Sequence, residues 1–246
     1  AYAYTESSGT WSQQSILQQA DPVAYDYMGN KASLSADGNI AVLAASNASS
    51  TKGQINIFTR TGTEWTSTGK KVASNSGSSD YFGSGASISS DGRYILAGAY
   101  QEDTTSSNAG SAYLLKAPVS RFPHFWSTGV QSAILPATDK GGERFGYSVA
   151  MEQYGNKAAI GAPYATEIFP SGVAYVYENS GTSQPSLNSM EFDHDTGVGF
   201  NSGSFPGGNI GVNISRPYGF AFKSDGTKVY VADDQTTGAV SYTHLR

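Results

Sequence analysis

Short stretches in which apolar residues alternate with polar or small ones recur along this chain, and glycine-containing turns separate them. Clear examples are GQINIF at 53–58, GSAYLL at 110–115 and GVAYVY at 172–177. A period of two places successive side chains on opposite faces of an extended strand, whereas a helix would need apolar residues three and four positions apart. The pattern therefore predicts many short β-strands joined by tight turns.

A longer pattern occurs three times, as YDYMGNKASLSADGNIAVLAAS at 25–46, DYFGSGASISSDGRYILAGAY at 80–100 and ERFGYSVAMEQYGNKAAIGAPY at 143–164. In each copy a first glycine is followed by a turn glycine and then by an alanine at constant spacing. These residues are Gly29, Gly38 and Ala45, then Gly83, Gly92 and Ala99, then Gly146, Gly155 and Ala162. The copies recur every 54 to 63 residues, a period that is typical of four-stranded units packed side by side in a β-propeller.

Each repeat reads as four strands, which in the first copy are ASLS, NIAVLAA, QINIFT and an outer strand around Trp65. Asp37-Gly38 and Asp91-Gly92 predict hairpin turns, because both residue types tolerate positive φ. The residue before the first glycine is apolar in every copy, and we expect these side chains to form the core between blades. They are Met28, Phe82 and Phe145.

Composition supports an all-β class, since 29 Gly, 16 Tyr and 11 Phe occur among 246 residues and only 14% are charged. The net charge of −5 without a basic run predicts no nucleic-acid partner, and no apolar stretch is long enough for membrane insertion. The chain has no cysteine, which excludes disulfides and thiolate metal sites. Abundant Ser, Thr, Asn and Gly favour an extracellular location.

The repeated residues resemble the FG-GAP repeat, the propeller blade of integrin α-subunit heads and of many bacterial surface proteins. The matching elements are Phe82-Gly83 with Gly98-Ala99, Phe145-Gly146 with Gly161-Ala162-Pro163, and the degenerate Met28-Gly29 with Ala44-Ala45. The spacing of Trp11, Leu17 and Met28-Gly29 is similar to that of the bacterial variety. The resemblance covers residues 1 to about 180 and implies an all-β propeller of four-stranded antiparallel blades.

The repeats predict FG-GAP-like blades over 1–182 and a divergent partial blade over 183–246, which resembles another propeller repeat family. Within the first region we expect a partial blade at 1–20 and blades at about 21–72, 73–135 and 136–182. The ending SYTHLR stops in mid-strand and resembles the tail of translated metagenomic reads, so we expect Thr243 to Arg246 not to be native. The predicted ring is incomplete, and other blades of a parent protein are expected partners.

Two kinds of candidate binding residue lie in the loops that follow the second strand of each repeat. The resemblance implies a calcium loop reading D-x-[DN]-x-[DN]-G there, but no loop of this chain matches it. Glu102 and Asp103 supply adjacent carboxylates and are the candidate calcium ligands, although we favour an ordinary solvated loop. Tyr100, Tyr164 and Phe169 are predicted to form a ligand-binding rim; the alternative interpretation is that they pack on the next blade. No other cofactor is predicted.

No catalytic residue is predicted, because the chain contains no nucleophile elbow, phosphate loop or HExxH motif. In Asp193-His194-Asp195, strand alternation would place His194 away from both carboxylates. The resemblance therefore implies a non-enzymatic extracellular or cell-surface propeller for adhesion, which binds a protein or a glycan.

Two alternatives to a binding protein stay open at this stage. One is a propeller enzyme acting on polysaccharide, which would bring carboxylates of different blades into one cleft. The carboxylates that would have to meet in this cleft are Asp21, Asp80, Asp139 and Glu143. The other is a structural spacer, which would show neither a carboxylate cleft nor an aromatic rim.

Overall fold

The structure is a computed structural model that describes residues 1–117, 126, 130–137, 141–165, 173–179, 190–192, 217–223, 228–233 and 240–243. These residues form β-strands and one short helical turn, α1 (Ala48–Thr51). The strands are β1 (Tyr2–Ser7), β2 (Thr10–Ile16), β3 (Lys31–Leu34), β4 (Ile40–Ala45), β5 (Gln54–Thr61), β6 (Glu64–Lys71), β7 (Ala86–Ile88), β8 (Tyr94–Ala99), β9 (Ser111–Lys116), β10 (Val130–Pro136), β11 (Ser148–Met151), β12 (Lys157–Ala162), β13 (Val173–Asn179), β14 (Met190–Phe192), β15 (Pro217–Phe222), β16 (Lys228–Asp233) and β17 (Val240–Thr243). The predicted all-β class is confirmed.

Three four-stranded antiparallel sheets follow the order of the chain, namely β3 to β6, β7 to β10 and β11 to β14. A two-stranded sheet, β1 and β2, precedes them, and a three-stranded sheet, β15 to β17, follows. The first strands of consecutive sheets, β3, β7, β11 and β15, lie beside one another in that order. Such a radial arrangement of blades is that of a propeller, whose ring is incomplete here. The third blade extends beyond residue 182, because its fourth strand is β14.

The core lies between neighbouring blades, as the repeat predicts. Phe82 is fully buried between the first and second blades, and its ring meets that of Tyr113 edge to face, with 5.3 Å between centroids. Phe145 is buried in the same way between the second and third blades, 5.1 Å from Tyr175. Met28 is only partly buried, because it faces the two-stranded sheet.

A backbone bridge fastens each of the two buried phenylalanines to the blade before it. Phe82 N donates to Lys52 O at 2.9 Å, and Phe82 forms a parallel bridge with Gly53. The next junction repeats this contact between Phe145 and Gly110. The equivalent residues therefore fix the position of one blade relative to the next.

The predicted hairpin turns are present in the first two blades, where Gly38 and Gly92 have φ of 66° and 72°. A serine closes each turn, because Ser35 Oγ and Ser89 Oγ accept bonds of 3.0 Å from the amides of Ile40 and Tyr94. Over the part of the chain that the structure describes, no helix has the length and apolar character to cross a membrane.

Candidate functional site

The loops that enter the first strand and leave the second strand of a blade meet on one side of the propeller. Ala86 pairs with Ala97 in the antiparallel ladder of β7 and β8, so the start of β7 and the end of β8 lie at the same end of the sheet. Tyr81 precedes β7 and Tyr100 directly follows β8. We call this side, which carries the equivalent described loops of the three four-stranded blades, the loop face.

An unusual backbone conformation presents one side chain per blade on the loop face. The residue two positions before the first glycine has φ of 55° at Tyr27, 57° at Tyr81 and 56° at Arg144. Left-handed backbone is rare for bulky residues, and the surrounding hydrogen bonds must hold it. Tyr81 N donates to Thr51 O at 2.9 Å, and Arg144 N donates to Asn108 O at 3.2 Å. While the following phenylalanine enters the core, this residue stays at the surface.

Four aromatic rings and one guanidinium form a cluster on the loop face, which we call the tyrosine–arginine stack. Tyr81 stacks on Tyr100 with 5.2 Å between centroids, and Tyr147 meets Tyr100 edge to face at 5.3 Å. The Arg144 Cζ atom lies 5.6 Å from the centroid of Tyr100 and 4.4 Å from that of Tyr164. The stack thus joins the second blade to the third.

The structure brings together two of the three predicted rim residues, Tyr100 and Tyr164. Tyr164 is 38% exposed and Tyr100 is half-buried. Burial, followed by the neighbouring Tyr81, raises the pKa of Tyr100, so its hydroxyl is neutral at physiological pH. Tyr100 also packs on the next blade, as the alternative interpretation expects, because its ring contacts Tyr147 of the third blade. Phe169 lies outside the described residues, and ligand binding at the rim stays a prediction.

Sequence reasoning missed Arg144, which links the two rim tyrosines. Its signal was its place in the aligned repeat, where Tyr27 and Tyr81 stand in the other copies. A cation at a position that otherwise holds tyrosine is a local change of chemistry on the loop face.

A second group of loop-face tyrosines lies at the first blade. Tyr25 and Tyr27 meet edge to face at 6.5 Å and are strongly exposed. They line an open cavity of about 330 Å³ together with Tyr2, Val23 and Asp26. Exposed tyrosines are thus present at more than one blade of this face.

The candidate calcium ligands have protein partners. Glu102 is 3% exposed; its Oε2 accepts a 2.7 Å bond from Ser111 Oγ, and its Oε1 accepts a 2.9 Å bond from Asn75 Nδ2. Thr104 also donates to Oε1. The exposed Asp103 accepts a 2.6 Å bond from Asn108 N. Nowhere in the described ranges do three His, Cys, Asp or Glu side chains cluster as metal ligands. The geometry assigns Glu102 a structural role, and calcium binding stays a prediction.

Acidic residues precede the left-handed position in all three copies, and all are buried. They are Asp26, Asp80 and Glu143. Asp26 accepts a 3.0 Å bond from Val23 N, and Asp80 accepts a 2.5 Å bond from Gly77 N, so each carboxylate closes the turn before it. Asp21 is exposed and pairs with Lys70 at 2.9 Å. Asp139 and the Asp193-His194-Asp195 cluster lie outside the described residues.

The buried carboxyl group of Asp80 is expected to make the stability of the fold depend on pH. Burial raises the pKa of this carboxyl, and the negative charges of Glu102 and Asp103 raise it further, against the opposing bond from Gly77. Ionised Asp80 therefore costs folding free energy at neutral pH, and the cost disappears as pH falls through the raised pKa. We expect Asp80→Asn to unfold at a higher urea concentration than the unmodified chain at pH 7, with the difference shrinking in acid.

Asp21→Asn is the control for this prediction, because the hydrogen bond and charge of Lys70 lower the pKa of Asp21. Its contribution to stability is present at neutral pH and is lost as pH falls through the lowered pKa. Urea midpoints measured from pH 7 to pH 3 should show opposite signs for the two variants. Equal behaviour of both would contradict the assignment.

Comparison with known proteins identifies the repeat. Residues 65–115 match the FG-GAP repeat, a span that contains Phe82-Gly83 and Gly98-Ala99. No curated protein matches this chain significantly.

Solved structures share the fold. The periplasmic gluconolactonase PpgL of Pseudomonas aeruginosa superposes with a TM-score of 0.55 at 12% identity, covering 99% of this chain and 59% of that one. Kuenenia stuttgartiensis hydrazine synthase gives 0.53 at 11% identity, with coverages of 87% and 58%. Sqt1 of Chaetomium thermophilum gives 0.52 at 11% identity, with coverages of 89% and 45%. The chain spans less than two thirds of these proteins, and identities this low show the fold alone. The chain is therefore a β-propeller that contains an FG-GAP repeat at residues 65–115.

Proposed function

We propose that this chain is a non-enzymatic binding module of an extracellular or cell-surface protein, and that it serves adhesion by holding a glycan on its loop face. The tyrosine–arginine stack is the observation that carries the proposal. Tyrosine combines a flat apolar ring, which suits the C–H face of a sugar, with a hydroxyl that can hydrogen-bond. It loses little conformational entropy on binding, because only two side-chain torsions must be fixed.

The blades beneath the stack supply rigidity. Phe82 and Phe145 are buried in the junctions directly below the loops, and backbone bridges at Gly53 and Gly110 fix the spacing of the blades. Loops held by a rigid scaffold keep their side chains preorganised, which reduces the cost of ordering on binding. The loop face is therefore suited to recognition without rearrangement.

The described carboxylates support a binding role over polysaccharide cleavage. A glycoside hydrolase needs two carboxyl groups facing each other across the scissile bond, about 5 to 10 Å apart. Asp26 and Asp80 are buried and accept hydrogen bonds from their own loops. The buried Glu102 accepts hydrogen bonds from Ser111 and Asn75. Asp21 is paired with Lys70. These four groups are engaged in holding the fold.

The proposal is tested by measuring the binding of the folded chain to a panel of neutral and acidic oligosaccharides. We expect Tyr164→Ala to weaken binding by at least about tenfold, because an exposed ring of the stack is lost. Released reducing ends are measured in parallel, and none is expected.

Tyr154→Ala is the matched control for this experiment. Tyr154 is 57% exposed and lies in the turn between β11 and β12, at the end of the blade opposite to the loop face. Its loss should leave binding unchanged. Equal effects of the two substitutions would contradict a loop-face site, and release of reducing ends would favour the enzyme alternative.

A further inference from the structure

We infer that Arg144 makes the loop face selective for a glycan that carries a carboxylate on a pyranose ring, such as a uronic acid unit. This inference rests on the proposed function and names its ligand class. The inference is based on Arg144, a cation that lies among tyrosines and forms no ion pair with a described carboxylate.

The described residues contain two ion pairs between side chains, Lys70 with Asp21 and Arg93 with Asp91. Arg144 takes part in neither, and its described contacts are the rings of Tyr100 and Tyr164. Arg144 is partly buried, and the desolvation of a cation is ordinarily offset by an anionic partner. Aromatic rings attract the cation but accept no hydrogen bond in the plane of the guanidinium. An external acceptor would complete this arrangement.

The geometry favours a carboxylate as that acceptor. Guanidinium is a planar fork whose N–H groups match the two oxygens of a carboxylate, and contact with aromatic rings leaves these donors without a carboxylate acceptor. The Arg144 Cζ atom lies 4.4 Å from the centroid of the Tyr164 ring, so a ligand at this point meets an aromatic ring and a cation together. A uronic acid presents the complementary pair, a C–H face and a carboxylate, within one sugar ring.

The aligned repeat restricts the number of charges that the ligand presents here. Tyr27 and Tyr81 occupy the position of Arg144 in the other copies, so this position supplies one cation over the three described blades. The net charge of the chain is −5, which opposes a densely charged polyanion such as a sulfated chain. We therefore expect Arg144 to bind a single carboxylate of the glycan. The logarithm of the affinity should then fall only weakly with the logarithm of the salt concentration.

The test uses trigalacturonic acid and its methyl ester, which has the same sugars without the charge, and titration calorimetry with the full chain. We expect the acid to bind at least about tenfold more tightly than the ester. Arg144→Asn should bind both probes equally, and Asn is chosen because it tolerates left-handed backbone. Arg144→Lys, which keeps the charge without the fork, should recover part of the preference. Tyr154→Ala should bind as the unmodified chain does.

Results that contradict the uronic acid inference can be distinguished from results that contradict the proposed glycan-binding function. Equal binding of acid and ester by the unmodified chain would overturn the inference and leave the proposed glycan-binding function standing. Failure of both probes to bind would overturn the uronic acid class, while the oligosaccharide panel judges the proposed function separately. If Arg144→Asn weakened binding of acid and ester alike, with unchanged thermal unfolding, Arg144 would only position the tyrosines and the inference would fail.

Discussion

Gly53→Ala is expected to remove at least about 3 kcal/mol of folding free energy, a large part of the 5–15 kcal/mol that is usual for a domain. Gly53 has φ of +83°, which costs an L-residue about 1–2 kcal/mol. A β-carbon would lie 2.1 Å from Phe82 O and 2.5 Å from Phe82 N. The two blades must separate to admit it, at a further cost of about 1–3 kcal/mol. Urea unfolding followed by far-UV circular dichroism measures the loss.

Gly9→Ala provides a control with the same backbone strain and no clash. Gly9 has φ of +80°, and a β-carbon there would meet nothing within 4 Å. Its substitution should cost only the free energy of placing an L-residue in left-handed backbone, about 1–2 kcal/mol. The difference between the two variants isolates the close approach of the blades. Equal losses would mean that the junction at Phe82 adapts to the added carbon, contrary to the rigid contact described above.

The fold could be predicted from sequence because its determinants are local or repeated. Alternation in GSAYLL specifies which side chains of β9 face each blade junction, and the constant spacing from Gly83 to Gly92 to Ala99 specifies a strand, a turn and a second strand. Phe82 and Phe145 could be placed in the core because repetition showed that their position is apolar in every blade. No long-range information was needed for these assignments.

The roles of Glu102 and Arg144 depend on contacts between distant parts of the chain. Glu102 follows Tyr100 and Gln101 in a polar stretch that reads as a solvated loop, yet its carboxylate is buried by partners that include Asn75, 27 residues earlier. Arg144 meets Tyr100 only because the third blade packs against the second. Side-chain contacts across a blade junction are set by packing, which single-sequence patterns do not encode.

Function is even less accessible from the fold, since propellers support unrelated activities. The structures that resemble this chain include a gluconolactonase and a hydrazine synthase. What distinguishes this molecule is therefore local chemistry. Asp26 and Asp80 hold turns, whereas the tyrosine–arginine stack on the loop face presents four tyrosines and one arginine.

Phe82→Ala is expected to cost about 3–5 kcal/mol, the range measured for truncating large buried aromatic side chains. Phe82 is 0% exposed and is packed by side chains of the first and second blades, including Ile55, Ile95 and Tyr113. The bridge between Gly53 and residue 82 uses backbone atoms, so it survives the substitution and prevents the blades from closing over the cavity. A lower urea midpoint with an unchanged dependence on urea concentration is the expected result.

Met28→Ala tests the same repeat position at a junction that is only partly packed. Met28 is half-buried, because the sheet on its outer side has two strands, β1 and β2. Less area returns to water on truncation and the neighbours can relax, so the expected loss is about 1–2 kcal/mol. A loss at Met28 as large as that at Phe82 would show that the apolar position acts through something other than burial between blades. A small loss at both would mean that the junctions are not the core of this propeller.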